Sequence, residues 1–468
     1  FKMSDIISFT LDGKPVQAEP GESIFQVAKR LGIAIPHMCS GLNQHYRADG
    51  NCRLCLVEID GERTLAASCK RLPTEGMNVA SESARTTKAR NMVMELLIAD
   101  QPARATGPDP QSRFWQMADQ MGVTESRFGC RPQPDADTSH PAIAVNMDAC
   151  IQCTNCLRAC REIQVNDVIG MARRGARSEI VFDIADPMGT STCVACGECV
   201  QACPTGALLE KTPPVNVDRE VRSLCPYCGV GCQVTYKIAN DRIVGMAGRN
   251  GPGNLNRLCV KGRFGLDYVH HPHRLTTPLI RRDDAPKIPD PEFDAGDWRK
   301  IFREATWEEA LDLAASGLTS IRQNKGDKAL AGFGSAKGSN EEAYLVQKLV
   351  RTGFGSNNVD HCTRLCHASS VAALMEGIGS GAVTAPFTAA KDADVIIVIG
   401  SRPAQNHPVA ATFIKNAKQD GATLIVMDPR GQGLTRHADH MLQFKPGMDV
   451  ALLNAILHVI IKEGLTDD

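Results

Sequence analysis

The chain has 468 residues, room for about three domains by size, and its 52 basic and 53 acidic side chains leave a formal net charge of −1. That balance gives no global field to attract nucleic acid or an anionic membrane. Three Trp, five Tyr and 14 Phe are too few for base-stacking platforms, and no segment reaches the roughly 18 apolar residues of a membrane span. The 19 cysteines stand out. The opening "FKMSDIISFTLDGKPV" has neither a long apolar run nor a twin-arginine stretch, and the thiols fall in CxxC groups, so metal binding in a soluble cytoplasmic protein is expected rather than disulfides.

In chain order, "IISFTLDGKPVQAEPGESIFQVAKRLGIAIPHMC" reads as two strands joined at "LDGK", then a helix over about 23–31. Ser23 is its candidate cap, and Ile24, Val27, Ala28 and Leu31 form one apolar side. Cys39, Cys52, Cys55 and Cys69 follow, spaced x12, x2 and x13 on the loops of this module; four thiolates there suit zinc or a 2Fe-2S cluster. A helix is expected over 81–100, ended by the proline-rich "QPARATGPDPQSR". Residues 101–145 read as a connector with one helix around "FWQMADQMG", and Cys130 within it as a free thiol.

Between 146 and 209 one unit occurs twice, "CIQCTNCLRAC" and "CVACGECVQACP". A third group, "CPYCGVGC" with Cys259, gives Cys225, Cys228, Cys232 and Cys259 at x2, x3 and x26. After about residue 300, "DVIIVIGS" and "ATLIVMDPR" are continuous apolar strands, with "HPVAATFIKNAKQDG" as the crossover helix between them. In such a parallel sheet ligands sit beyond the carboxyl ends of the strands, here "GSRPAQNHP" and "DPRGQG".

These motifs carry resemblances over essentially the whole chain. The Cys39 module resembles the 2Fe-2S β-grasp domain of respiratory complex I subunits, hydrogenases and related dehydrogenases. The duplicated C-x2-C-x2-C-x3-C run is similar to bacterial two-cluster ferredoxins, in which the fourth cysteine of each run ligates the other cluster. The resemblance thus implies one 4Fe-4S cluster on Cys150, Cys153, Cys156 and Cys203, and another on Cys193, Cys196, Cys199 and Cys160. Pro204 follows the second run, whereas Arg161 stands in that place after the first. The Cys225 group and Lys261 in "CVKGRFG" look like the start of the molybdenum or tungsten bis-pterin oxidoreductases, implying a third 4Fe-4S cluster with Lys261 between cluster and pterin. An extra His/Cys cluster, carried by related chains after the first long helix, is expected to be absent.

"HCTRLCHASS" admits a Cys/His nucleophile pair, a zinc half-site with His361 and His367, or two structural cysteines. The longer stretch "NNVDHCTRLCHASSVAALMEGIGSGAVTAP" resembles the active-site segment of metal-dependent formate dehydrogenases. That implies Cys366 as ligand of Mo or W and His367 as the residue that handles the proton or orients formate; Cys362 falls where no ligand is expected. Gly400, Ser401, Asn406, Pro408, Asp428, Arg430, Pro446, Gly447 and Asp449 are, by the same resemblance, expected to bind the molybdopterin guanine dinucleotides.

The layout is similar to the catalytic α subunit of cytoplasmic NAD-dependent formate dehydrogenases of the bis-pterin superfamily. An α/β multidomain fold is expected: 1–80 2Fe-2S domain, 81–145 helical connector, 146–215 two-cluster ferredoxin domain, 218–275 4Fe-4S domain and 276–468 a partial α/β pterin domain. The resemblance places FMN and NAD on a flavoprotein β subunit, with a small 2Fe-2S γ subunit as a further partner. A formate-anchoring arginine is expected beyond residue 468. The competing expectations are a complex I-type electron-wire subunit without metal–pterin catalysis and a hydrogenase.

Overall fold

The first hairpin is local chemistry made visible. Strands β1 (Ile7–Leu11) and β2 (Lys14–Ala18) pair antiparallel with Leu11 opposite Lys14, and Asp12 and Gly13 turn the chain with φ of 51° and 76°. Two left-handed residues in a two-residue loop match the twist of the strands, and glycine takes the second without strain. Helix α1 (Ile24–Arg30) starts at Ser23, whose side chain and that of Gln26 cap each other's backbone N–H groups. It buries Ile24, Phe25, Val27 and Ala28 on the sheet completed by β3 (Leu56–Ile59), β4 (Ala66–Ala67) and β5 (Asn78–Ala80). The order is β2-β1-β5-β3-β4, with β1 and β5 parallel, the arrangement of a β-grasp sheet. The structure, a computed structural model, describes residues 6–40, 46–129, 134–212, 216–287, 295–382 and 385–466; Cys130 lies outside them.

Helix α2 (Ala84–Ala99) is capped by Ser83, and α3 (Arg113–Met121) ends at Gly122 in the left-handed conformation. Residues 101–123 do more than connect. Phe114, Trp115 and Ala118 share a core with Met38, Cys39, Cys52, Ile151 and Cys153, and the Phe114 N–H donates to Pro204 O at 2.9 Å.

The duplicated region is built on two small antiparallel pairs. β6 (Ile143–Val145) pairs with a later strand, and α4 (Asn155–Arg158) runs into a π-helical turn over Ala159–Ile163. β7 (Ile169–Ala172) pairs with β8 (Glu179–Phe182), then α5 (Glu198–Ala202) leads to β9 (Leu208–Glu210), the partner of β6. A three-stranded meander follows, β10 (Arg219–Leu224), β11 (Gln233–Ala239) and β12 (Arg242–Gly248), then α6 (Val260–Phe264).

The chain divides into two compact units, Phe1–Val269 with Pro386–Asp468, and His270–Ala385. The second unit contains β13 (Leu279–Arg281) paired with β14 (Phe302–Glu304), then α7 (Trp307–Lys325), β15 (Gly332–Gly334), α8 (Asn340–Lys348), β16 (Val359–His361), α9 (Thr363–Cys366) and α10 (Ala368–Ile378). β15 and β16 are parallel. Back in the first unit, β17 (Val395–Ile399), β18 (Thr423–Met427) and β19 (His440–Leu442) form a parallel sheet, with α11 (Pro403–Asn406) and α12 (Pro408–Gln419) between the first two strands and α13 (Asp449–Lys462) last.

Residues 386–468 thus group with the N-terminal part of the chain. The physical reason is α12. Lys415, 7% exposed, donates to Gln164 O, Val165 O at 3.2 Å and Asn166 Oδ1 at 3.1 Å, and the Asn416 amide donates to Glu162 O at 2.6 Å. Arg257 donates to Thr412 Oγ1 and Asn416 Oδ1 and stacks 4.4 Å over Phe413. Lys415→Met strips two buried carbonyls of their donor, and the protein is expected to lose about 2–4 kcal/mol of stability, read as a lower thermal midpoint. Burial lowers the Lys415 pKa to about 8. Above that pH the unfolded chain binds the extra proton, so wild-type stability rises between about pH 8 and the ordinary lysine value. The Met variant should lack that rise.

Candidate metal centres

Cys39, Cys52, Cys55 and Cys69 are all buried, on loops at one end of the β-grasp sheet. The Met38 N–H donates to Cys52 Sγ at 3.4 Å and the Cys52 N–H to Cys39 Sγ at 3.5 Å. Hydrogen bonds from the Cys52 and Cys69 thiols pull the Cys39 thiol down; the same contacts, with burial, push Cys52 and Cys69 up. The four sulfurs therefore form one interacting group, with backbone donors aimed at it.

In the duplicated region the structure brings together members of different runs. Cys150, Cys153, Cys156 and Cys203 line one cavity of about 330 Å³, with Ile151, Ile180 and Leu208. Cys160, Cys193, Cys196 and Cys199 line another of about 330 Å³, with Val168, Ile169 and Met188. The two copies match in backbone as well: Gln152 and Ala195 both have φ of 53°, and Thr154 and Gly197 follow at 61° and 68°. The left-handed turns aim amides inward, Gln152 N–H to Cys150 Sγ and Ala195 N–H to Cys193 Sγ, each at 3.4 Å. Gly197 is needed a second way, since a Cβ there would sit 2.8 Å from Arg263 Cγ.

Burial pushes the Cys156 and Cys199 thiols well above the usual range and Cys196 up to about 12. Such thiols stay protonated until metal displaces the proton. Among the described residues no three His, Cys, Asp or Glu side chains converge as one mononuclear ion needs; the thiols stand around cavities. Apolar-lined spaces rimmed by four thiols, with N–H donors to sulfur, fit iron–sulfur clusters in chemistry.

Cys225, Cys228, Cys232 and Cys259 rim a third cavity of about 350 Å³, and so do Lys261, Asn406, Pro408 and Val409. The cysteine loop is closed by Cys225 N–H to Cys232 O at 2.9 Å, and the Tyr227 hydroxyl donates to Gly265 O. Lys261 lies on α6, two residues past Cys259, and the 406–409 segment follows the end of β17. The second and third quartets meet through buried polar groups. Glu198, 1% exposed and raised in pKa by burial, receives Tyr46 Oη at 3.1 Å and Gln164 Nε2 at 3.5 Å and faces Arg263 at 3.6 Å. Gln164 also donates to Leu258 O at 3.2 Å.

At the carboxyl ends of β17, β18 and β19 lie three loops on one edge of the sheet. They carry Gly400, Ser401, Asn406 and Pro408; Asp428 and Arg430; and Pro446, Gly447 and Asp449. Buried Asp428 accepts the Arg430 N–H at 3.0 Å, a turn-closing bond, and Gln432 Nε2 ties the loops by donating to Ser401 O at 2.7 Å. Gln432 Oε1 and Arg402 Nε are buried there and, among the described residues, lack a hydrogen-bond partner. Orphaned polar atoms at strand ends fit a polar ligand such as a dinucleotide. Sequence reading passed over Arg402 and Gln432, although both stand inside the two loops it marked.

In the other unit, Cys366 ends α9 and His367 stands at the break before α10, both exposed. Parallel pairing of β15 and β16 brings the loop starting at Ser335 beside the segment starting at Cys362. Cys362 acts in this junction: its Sγ accepts the Ala336 N–H at 3.3 Å, and its carbonyl accepts the Cys366 N–H at 3.3 Å. His361 Nδ1 accepts the Thr363 N–H at 3.3 Å, so that ring faces its own turn.

Comparison with known proteins follows the same divisions. Residues 4–84 match the family model of the 2Fe-2S iron-sulfur cluster binding domain, and 140–209 that of the NADH-quinone oxidoreductase subunit 3 ferredoxin-like domain. Residues 218–271 match the molybdopterin oxidoreductase Fe4S4 domain and 274–468 the molybdopterin oxidoreductase family. "Probable oxidoreductase YjgC" of Bacillus subtilis is 29% identical over 98% of this chain and 50% of its own. A Staphylococcus haemolyticus protein named "Putative formate dehydrogenase" is 27% identical over 99% of this chain and 50% of its own. The chain spans about half the length of the curated relatives it matches. Among solved structures, an NAD+-reducing [NiFe]-hydrogenase in the H2-reduced state aligns at TM-score 0.41 and 28% identity, over 45% of this chain and 89% of that one. No helix among the described residues is long and apolar enough to cross a membrane. The chain thus carries iron–sulfur domains on its N-terminal side followed by a molybdopterin oxidoreductase domain.

Proposed function

We propose that the chain is the catalytic subunit of a cytoplasmic formate dehydrogenase, interconverting formate and carbon dioxide at a molybdenum or tungsten bis-molybdopterin guanine dinucleotide centre. One 2Fe-2S and three 4Fe-4S clusters on the four quartets would serve it, and a flavoprotein partner with FMN would reduce NAD, with a small 2Fe-2S subunit as a further partner. The observation that carries this reading is Cys366 followed at once by His367 where α9 breaks into α10, just past the carboxyl end of a parallel strand. The name of the Staphylococcus relative supports the substrate, and the subunit 3-like match supports a partner that exchanges electrons.

When bound, the metal centre supplies an acceptor for two electrons, which no side chain can provide. The residues of this chain do the rest. Cys366 offers a soft thiolate to hold the metal. His367 would take the proton or orient formate through its imidazole, and the start of the 11-residue α10 favours an anion beside it. Gly400, Ser401, Asn406, Pro408, Asp428, Arg430, Pro446, Gly447 and Asp449 would hold the dinucleotides, joined by Arg402 and Gln432. Lys261 would keep a positive charge between the Cys225 quartet and the segment of Asn406 and Pro408, whose side chains share its cavity.

Elemental analysis for Mo, W and Fe alongside formate-driven dye reduction tests the reading. Iron without Mo or W, and no reduction by formate, would favour an electron-wire subunit. His367→Asn is expected to lower turnover by roughly 10²–10⁴-fold with metal content unchanged; a smaller loss removes the proton role.

A further inference from the structure

Arg158 lies between Cys156 and Cys160, which face different cavities, and its side chain is fully buried. Nη2 donates to Cys39 O at 2.8 Å, to Cys153 O at 3.2 Å and to Asn155 Oδ1. Nη1 donates to Arg47 O, and Nε is 3.0 Å from Asp49 Oδ2. Asn155, three residues earlier on α4, donates to Met38 O at 3.0 Å. Adjacent carbonyls on the Cys39 loop are therefore gripped from the ferredoxin side. Asp49 in turn accepts the Thr154 hydroxyl at 2.7 Å, next to Cys153.

One guanidinium thus touches the backbone of a cysteine in each of two quartets, and its counter-ion touches the same junction. Holding two loops together needs no ion. Apolar packing already joins them in the core of Met38, Cys39, Cys52, Ile151 and Cys153, and burying a charge is unfavourable unless its partners repay it. What a fixed charge adds is a field at both cavities, in surroundings of low dielectric. Reduction adds negative charge to a centre, so a neighbouring guanidinium favours the reduced form and a carboxylate opposes it.

We propose that Arg158 is a positioning residue for electron transfer between the centre at Cys39, Cys52, Cys55 and Cys69 and the centre at Cys150, Cys153, Cys156 and Cys203. It sets the spacing of the two ligand loops, and its charge, balanced by Asp49, sets the reduction potentials of both centres together. The step moves one electron from one centre to the other; no bond forms or breaks and no proton is exchanged. This inference rests on the reading that both quartets hold iron–sulfur clusters.

The test uses the full chain as Arg158→Gln, Arg158→Lys and Asp49→Asn, with iron and acid-labile sulfide assays and EPR-monitored redox titration. Arg158→Gln should shift both midpoint potentials to more negative values, Asp49→Asn should shift both the opposite way, and Arg158→Lys should restore much of the wild-type potential. The centre at Cys225 should not move. Unchanged potentials, or shifts of the same sign in the Gln and Asn variants, would overturn the inference. So would loss of iron from these quartets in both Arg158 variants, which would leave a structural strap. Failure of the underlying reading looks different: wild-type protein would itself lack the EPR signals of the two centres.

Discussion

Cys366→Ser is expected to bring formate-driven dye reduction down to background in a protein that keeps its full iron content. The thiol is exposed and belongs to no buried core of its unit, so the exchange of one sulfur for oxygen has no route through folding. What changes is ligand character. A hydroxyl is a harder and far less acidic donor than a thiol, poorly matched to a centre that prefers soft ligands. Cys362→Ser is the matched control four residues away. Its sulfur accepts one backbone N–H, a task an oxygen performs as well, so turnover should persist. Turnover surviving in Cys366→Ser, or lost equally in both variants, would remove Cys366 from the role of metal ligand.

Cys203→Ser is the second large effect. Cys203 belongs by sequence to the run of Cys193, Cys196 and Cys199 but lines the cavity of Cys150, Cys153 and Cys156. The variant should lose about four irons per chain and the EPR signal of that centre, and formate should no longer reduce the 2Fe-2S centre, while reduction of the Cys225 centre continues. Cys160→Ser should remove the other centre of the pair. If Cys203→Ser and Cys199→Ser instead erased the same signal, the crossed grouping would fall.

What the sequence made legible was whatever chemistry closes over a few residues. The Asp12–Gly13 turn, the Ser23 cap and the apolar strands around α12 each depend on neighbours in the chain. The quartets were readable because spacing is itself the signal, and the crossed grouping came from resemblance to ferredoxins. Beyond reach were side chains whose partners are distant. Arg158 meets Cys39 O 119 residues away, Lys415 meets Gln164 O 251 residues away, and Gln432 meets Ser401 O 31 residues away. Each alone looks like a solvated surface residue. Residues 101–123 read as a connector because their pattern is polar and broken by proline, yet Phe114 and Trp115 fill the core beside two ligand loops. Cys362 could be read only as a zinc half-site member or a structural cysteine outside the expected ligands, since its partner Ala336 becomes a neighbour only when two strands pair in parallel.

The grip of Lys415 on the loop after Cys160 has a consequence for the order of events during synthesis. A ribosome adding about 5–20 residues per second needs roughly 10–50 seconds to travel from Gln164 to Lys415. Throughout that interval the carbonyls of Gln164 and Val165 have no ammonium to receive, and the turn carrying Cys160 is open on that side. Closure comes only after residues 270–385, a separate unit, have left the tunnel. Translation therefore leaves the loop that follows Cys160 without its buried cation until Lys415 has been added.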